Sequence, residues 1–351
     1  MMTAMASILV RAVQVLLFSA TGLHAAEAGS SYTPIVGYDD KNGFLAGAAY
    51  FHYKEGQPGF NHGIYGVSNG RDFHSVTLDL HQKLESGLDL SLHSDQARTF
   101  DNYYGEGSQT SDKGGLRFAQ DQVVSEAAAL WHGQGAWAAG PTLGLKARRE
   151  GTVTLREDGS TVPFRAFDDS ATPALGLRAQ YDTRDGELSS TRGSLWIFDA
   201  RALPAKLAFL GPADDAWQGK AEWRNFQSLG QGFVWAHRLE GATSLGKPGY
   251  MQRYTLGGTD LLRGFQENRF RGDRFYCLQE ELRIPLWRMI SVATSVDMGE
   301  AGDGALLASR KSVQAGLRVG LPPDYGMKAR LDFGAGDSGE SSMALQFGQT
   351  F

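Results

Sequence analysis

A single cysteine, Cys277, stands in a chain of 351 residues, so no disulfide can form within one molecule. A lone cysteine in an alternating segment reads as a small packed residue rather than a reactive thiol. The eight histidines fall at no paired metal-ligand spacing. No metal, no redox chemistry and no cofactor are therefore expected. Basic excess is missing too: 34 Lys and Arg against 39 Asp and Glu leave a net charge of −5, and nothing announces a nucleic-acid partner. Long apolar runs are also absent, and no stretch approaches the ~20 residues of a membrane-spanning helix. Mean hydropathy is negative. A membrane barrel can look like that, because only alternate strand residues face lipid.

What is present begins with an export signal. Arg11 supplies a positive region, residues 12–20 a short apolar core, and Ala26-Glu27-Ala28 an A-x-A cleavage pattern. The expectation is a signal peptide over 1–28 and one β-barrel domain over 29–351. The first strand follows so closely that no room is expected for a folded periplasmic domain.

Period-two alternation is clearest in the last third. Ile290, Val292, Thr294, Val296 and Met298 share one face, and Ser291, Ala293, Ser295 and Asp297 the other. Val313 to Leu321, Met327 to Phe333 and Met343 to Phe351 repeat the pattern. A soluble sandwich alternates in the same way. Strand lengths near the ~9–11 residues of a tilted span, with charges and glycines on the polar face, favour a water-filled lumen. The fold class expected is all-β: a transmembrane antiparallel barrel of about sixteen strands. Their ranges read 32–38, 44–54, 59–69, 71–84, 86–97, 122–133, 139–150, 172–183, 193–204, 215–228, 232–243, 275–286, 289–298, 310–321, 326–335 and 341–351. The long gaps (98–121, 151–171, 244–274, 299–309) all follow odd-numbered strands. The gaps after even-numbered strands are mostly short, as extracellular loops and periplasmic turns alternate in such barrels.

Several stretches resemble the BamA/TamA-type outer-membrane assembly and translocation superfamily, the bacterial surface antigen family. They are Gly37-Tyr38-Asp39 through Gly43-Phe44 to Gly47; Tyr181-Asp182-Thr183-Arg184-Asp185 with Thr191-Arg192-Gly193; and Gly257 to Phe265, which contains Arg263-Gly264-Phe265. Glu281 to Pro285, Asp297-x-Gly299, Gly316-x-Arg318, Arg330 to Gly334 and terminal Phe351 complete the set. The resemblance implies a member lacking POTRA domains, with loop 244–274 folded into the lumen. It implies a clamp of Arg263, Gly264 and Phe265 on Asp297 and Gly299, in which Arg263 pairs with Asp297. The residues themselves agree: a buried arginine needs an acidic partner, and Asp297, Glu281 and Arg283 share lumen parity. An exposed arginine making a weak surface pair is the competing reading.

A lumen charge network is expected from Glu281, Arg283, Arg318, Arg330 and Asp332, and further lumen positions include Lys220, Glu222, Arg224, Arg238, Glu240 and Lys328. Mixed signs point to internal salt-bridging rather than one selective ring. Glu280 falls on the apolar parity, as at an interface or a bulge. Phe351 reads as a C-terminal assembly signal or as a lipid-facing aromatic, and Trp217, Trp223, Trp235, Tyr250 and Tyr254 are compatible with aromatic girdles.

Three functions compete. The resemblance implies an outer-membrane insertion or translocation pore with a weak seam between 32–38 and 341–351, working with a separately encoded periplasmic partner. The first strand reads as short and holds Pro34, which cannot donate to a ladder. The alternative is a channel or a structural or lipid-related barrel without protein transport. A hydrolase built on His74, Ser75, His81 and His93 is the third, and no enzyme is expected. The partners expected are outer-membrane lipid, the barrel-assembly machinery during biogenesis, client proteins and a further copy of the chain. The expected location is the bacterial outer membrane.

Overall fold

In a computed structural model the described residues are 29–39, 42–53, 62–110, 115–133, 135–154, 161–162, 169–186, 189–306, 308–320, 328–347, 349 and 351. The expected signal segment 1–28 lies outside them. The strands are β1 (Gly29–Asp39), β2 (Gly43–Tyr53), β3 (His62–Ser68), β4 (His74–Lys83), β5 (Leu88–Tyr103), β6 (Leu116–His132) and β7 (Trp137–Thr154). They continue as β8 (Thr161–Val162), β9 (Ser170–Asp182), β10 (Gly193–Leu203), β11 (Ala216–Gly230), β12 (Phe233–Gly246), β13 (Tyr254–Leu256) and β14 (Phe270–Gly272). The last are β15 (Arg274–Pro285), β16 (Ile290–Gly302), β17 (Arg310–Gly320), β18 (Lys328–Gly336) and β19 (Ser341–Phe347). Sixteen of these pair antiparallel, each with its neighbour, and β1 meets β19 to close the barrel. The two-residue β8 pairs antiparallel with the end of β7, while β13 and β14 form a separate hairpin.

Alternation sets the two faces. Leu239, Val296 and Val313 are exposed on the outside, while Arg238, Glu240, Gln279, Glu281 and Asp297 are buried inside. Closure matters because an open sheet edge in hydrocarbon leaves backbone groups unsatisfied. Exposed Trp131, Trp137, Trp196, Trp235 and Trp287 lie near the ends joined by short turns, where amphipathic rings favour a membrane interface.

Some expectations need correction. β5, β6 and β7 run beyond their expected ends: Arg98↔Asp121, Phe100↔Ala119 and Asn102↔Arg117 continue the ladder. Outside a lipid-contacting band a hairpin can pair without any apolar alternation, so the alternation signal stops before the strand does. The first strand is not short, since β1 pairs with β2 at eleven successive positions, Gly29↔Tyr53 to Asp39↔Gly43. The segment before β15 is not strandless, as it holds β13, β14 and a 3-10 turn at Tyr250–Gln252. Tyr250 and Tyr254 belong to no girdle. Tyr250 donates to Asp101, and Tyr254 packs on Phe275 in a buried cluster. Glu280 marks no bulge: it pairs in regular register, accepts from Trp235 Nε1 at 2.9 Å and lies 2.7 Å from His237 Nδ1.

Candidate functional site at the loop and the closing seam

Residues 247–273 connect β12 to β15. Their centre is an apolar cluster in which Leu256, Leu262, Phe265 and Phe270 are fully buried with Phe275, Cys277 and Ala301. Each such burial is worth roughly 1.5–3 kcal/mol. The rings of Phe265 and Phe270 meet edge to face at 5.1 Å. Phe275 and Cys277 are apolar residues on an otherwise polar inner face, a pattern by which the sequence could have shown that something covers them.

Beside this cluster sits Arg263, with no exposed surface. Its Nη2 is 2.8 Å from Asp297 Oδ1, and its Nε and backbone N–H both donate to Oδ2 at 2.9 Å. Its Nη1 donates to Glu281 Oε2 at 2.9 Å. Gln279 Nε2 donates to the same Asp297 oxygen, also at 2.9 Å. A two-pronged guanidinium–carboxylate pair is among the strongest and most directional polar contacts. Asp297 comes from β16 and Glu281 from β15, so two wall strands converge on one loop residue. The competing reading of Arg263 as an exposed surface residue is overturned by its burial.

Gly264 follows at φ 100°. A Cβ there would lie 2.9 Å from the backbone nitrogen of Ala335 and 3.1 Å from Ser312 Cβ. Only glycine allows this approach without strain. Gly299 is similarly tight, because a Cβ would stand 2.7 Å from the carbonyl oxygen of Tyr276. Phe265 lies over Gly336.

The charge network spreads from Glu281. Arg283 Nε donates to Glu281 Oε1 at 2.9 Å, and Arg318 Nη2 lies 3.8 Å from Oε2. Arg318 also bonds Asp332, and Arg330 Nη1 is 3.3 Å from the other Asp332 oxygen. These five residues thus form one connected set with Arg263 and Asp297. Sequence reasoning missed other contacts of the loop with the wall. Arg238 Nη1 donates to Asp260 at 2.8 Å, Arg269 to Thr110 and Glu340, and Arg271 Nη2 to Asp101 of β5 at 3.4 Å. Arg238 was read only as a lumen position, with no sign of its loop partner, because pairing across strands distant in sequence leaves no local pattern.

The loop also touches the last strand from inside. Ser342 Oγ accepts from the Gly264 amide at 3.1 Å, Gln346 Nε2 donates to Thr259 Oγ1 at 2.9 Å, and Arg330 bonds Gln346. Phe351 is buried on the inner face against Phe226, Val234 and Ala236, so the lipid-facing reading is overturned. Its main-chain oxygen accepts from Arg283 Nη2 at 2.6 Å, and Arg283 Nη1 reaches the carbonyl of Ser190 at 3.1 Å in the turn between β9 and β10.

The closing seam is thin. Among the described residues β1 and β19 pair only at Tyr38↔Leu345 and Asp39↔Ala344, whereas β11 and β12 pair from Ala216↔Gly246 to Gly230↔Phe233. Among the described residues, the ladder partners of residues 29–37 are those of β2. The histidines assemble no hydrolytic triad among the described residues. His81 is bonded to Asp89 and His93 to Asp79, while Ser75 donates to Asp95 rather than to an imidazole.

A closed sixteen-stranded barrel with a thin seam and a buried arginine–aspartate contact is a class that the comparisons resolve further. Residues 142–351 match the model of the Omp85 superfamily domain, and the chain belongs to that superfamily. Among solved structures, it is similar to BamA from Haemophilus ducreyi lacking POTRA domains 1–3. The TM-score is 0.61 at 14% identity, over 92% of this chain and 70% of that one. It is also similar to CdiB from Acinetobacter baumannii, with a TM-score of 0.51 at 12% identity. That likeness covers 92% of this chain and 57% of the other, so the chain spans less than two thirds of CdiB. No curated protein matches the sequence. The Omp85 fold is characteristic of bacterial outer-membrane proteins.

Proposed function

We propose that this chain resides in the bacterial outer membrane and inserts or translocates proteins there by opening the β1–β19 seam. A separately encoded periplasmic partner delivers the clients. The observation that carries this reading is a seam paired, among the described residues, at two positions. An unpaired strand edge in hydrocarbon is costly, and it is also a template for pairing with an incoming strand. The two seam strands are held unequally. β19 is bound from inside by Gly264 and Thr259 of the loop, whereas residues 29–37 of β1 pair, among the described residues, with β2. The edge offered to a client is therefore that of β1, where Pro34 already lacks an N–H. In this reading Arg263, Gly264, Phe265, Asp297 and Gly299 act as the clamp that seats the loop in the lumen, and Phe351 serves as the assembly signal during the protein's own biogenesis. The barrel itself performs no chemistry on its clients.

Photocrosslinking in intact cells tests the proposal, with probes at Ile35 in β1 and Arg192 in the turn before β10. The expected result is capture of outer-membrane precursors at Ile35 and of one periplasmic protein at Arg192. Capture of lipid or of further copies of the same chain at both sites, and of nothing else, would overturn it.

A further inference from the structure

On the wall facing away from the seam, the loop leaves a cavity of about 440 Å³. Its lining carries five cationic side chains, Lys146, Arg178, Arg201, Lys220 and Arg253, against three acidic ones, Glu126, Asp199 and Glu240. Four of the cations are neutralised in place, Arg253 by Glu106 at 2.9 Å and Asp273 at 3.0 Å. Arg178 lies 2.7 Å from Glu126 and 2.8 Å from Asp199, Arg201 is 2.5 Å from Glu126, and Lys220 is 2.7 Å from Glu240. Glu222, the other acid near Lys220, is held by Arg224 and Arg238 at 2.5 and 2.8 Å.

Lys146 differs. Its ammonium makes one hydrogen bond, to the carbonyl oxygen of Met251 at 3.1 Å, and has no carboxylate partner among the described residues. Arg201, Lys220 and Glu126 line the same cavity as Lys146. The side chain is surrounded by protein yet keeps some surface open to the cavity. An ammonium has three donors, so two remain to point into the space. A cation placed among other cations in a cavity with low-dielectric walls raises the local concentration of anions.

We propose that this cavity is a binding site for a small oxyanion of the phosphate type, held by Lys146 with Arg201 and Lys220 at its flanks. The volume suits a phosphate monoester. Gln252 and Tyr254 of the loop also line the cavity, so a bound anion bridges wall and loop.

The experiment uses the full chain in detergent micelles, with inorganic phosphate as the probe and binding read by calorimetry. Wild type is expected to bind phosphate, Lys146→Met to bind it at least tenfold more weakly, and Lys146→Arg to bind it within a few-fold of wild type. Heat-modifiable migration of each variant on gels establishes that the barrel is intact. Competition by glycerol phosphate but not by dihexanoyl phosphatidic acid assigns the site to a free anion. Competition by both assigns the same site to a lipid headgroup. Absence of phosphate binding to wild type, or equal binding by wild type and folded Lys146→Met, overturns the proposal.

Discussion

At the scale of single residues, Arg263 joins the loop to two wall strands through Asp297 and Glu281. Removing its guanidinium leaves Asp297 and Glu281 buried with one fewer cation between them, and breaking such a pair costs about 3–5 kcal/mol. Arg263→Ala should leave the barrel folded but loosen residues 247–273, seen as faster proteolysis of that segment. Protection equal to wild type would show that the pair does not seat the loop. Gly264→Ala should loosen it too, because φ 100° and the Ala335 backbone at 2.9 Å both oppose a side chain; strain of that kind is of order 1–3 kcal/mol. The motif around Arg263 could be read in the sequence, as could the lumen parity of Glu281 in β15 and Asp297 in β16. Glu281 as a second ligand of the same guanidinium could not, since parity gives a face but no distance. The role of Arg238 toward Asp260 was hidden for the same reason.

At the scale of elements, the turn between β9 and β10 gives a pH test. Partial burial of Asp185 pushes its carboxyl pKa up. The Thr191 hydroxyl and the Thr191 and Arg192 amides donate to it and outweigh that, so the net pKa is lowered. A carboxylate depressed in the folded state adds stability above its unfolded pKa, and that stability is lost as pH falls through the folded value. Opening of the turn, followed by exchange of the Thr191 and Arg192 amides after correction for intrinsic rates, should therefore be independent of pH near neutrality. It should rise only at pH below the ordinary carboxylate range. A pH-independent opening down to that range and beyond would contradict the assignment. Strand positions were legible to within a few residues over much of the barrel because lipid outside and water inside impose a strict alternation. They were illegible where β5, β6 and β7 leave that band, and within the loop, where β13 and β14 are only three residues each. The thin seam could not be read from strand length, since β1 is as long as β2. It is a property of register between the two ends of the chain.

At the scale of the whole molecule, stability is distributed unevenly, and the distribution follows the pairing. Amides of β11 and β12, paired along their full length, should exchange slowest, and those of residues 30–37 among the fastest of the barrel strands. Uniform protection across all sixteen wall strands would remove the physical basis for an opening seam. The most direct measurement is capture of client proteins with the seam locked. Tyr38 and Leu345 are register partners across it, and Tyr38→Cys with Leu345→Cys places two thiols where a disulfide can bridge the strands, while native Cys277 is buried. With a crosslinking probe at Ile35, oxidation should reduce precursor capture at least tenfold, and reduction should restore it. Undiminished capture by the oxidised, demonstrably bridged protein would contradict the account, because clients would then be reaching the barrel without the seam.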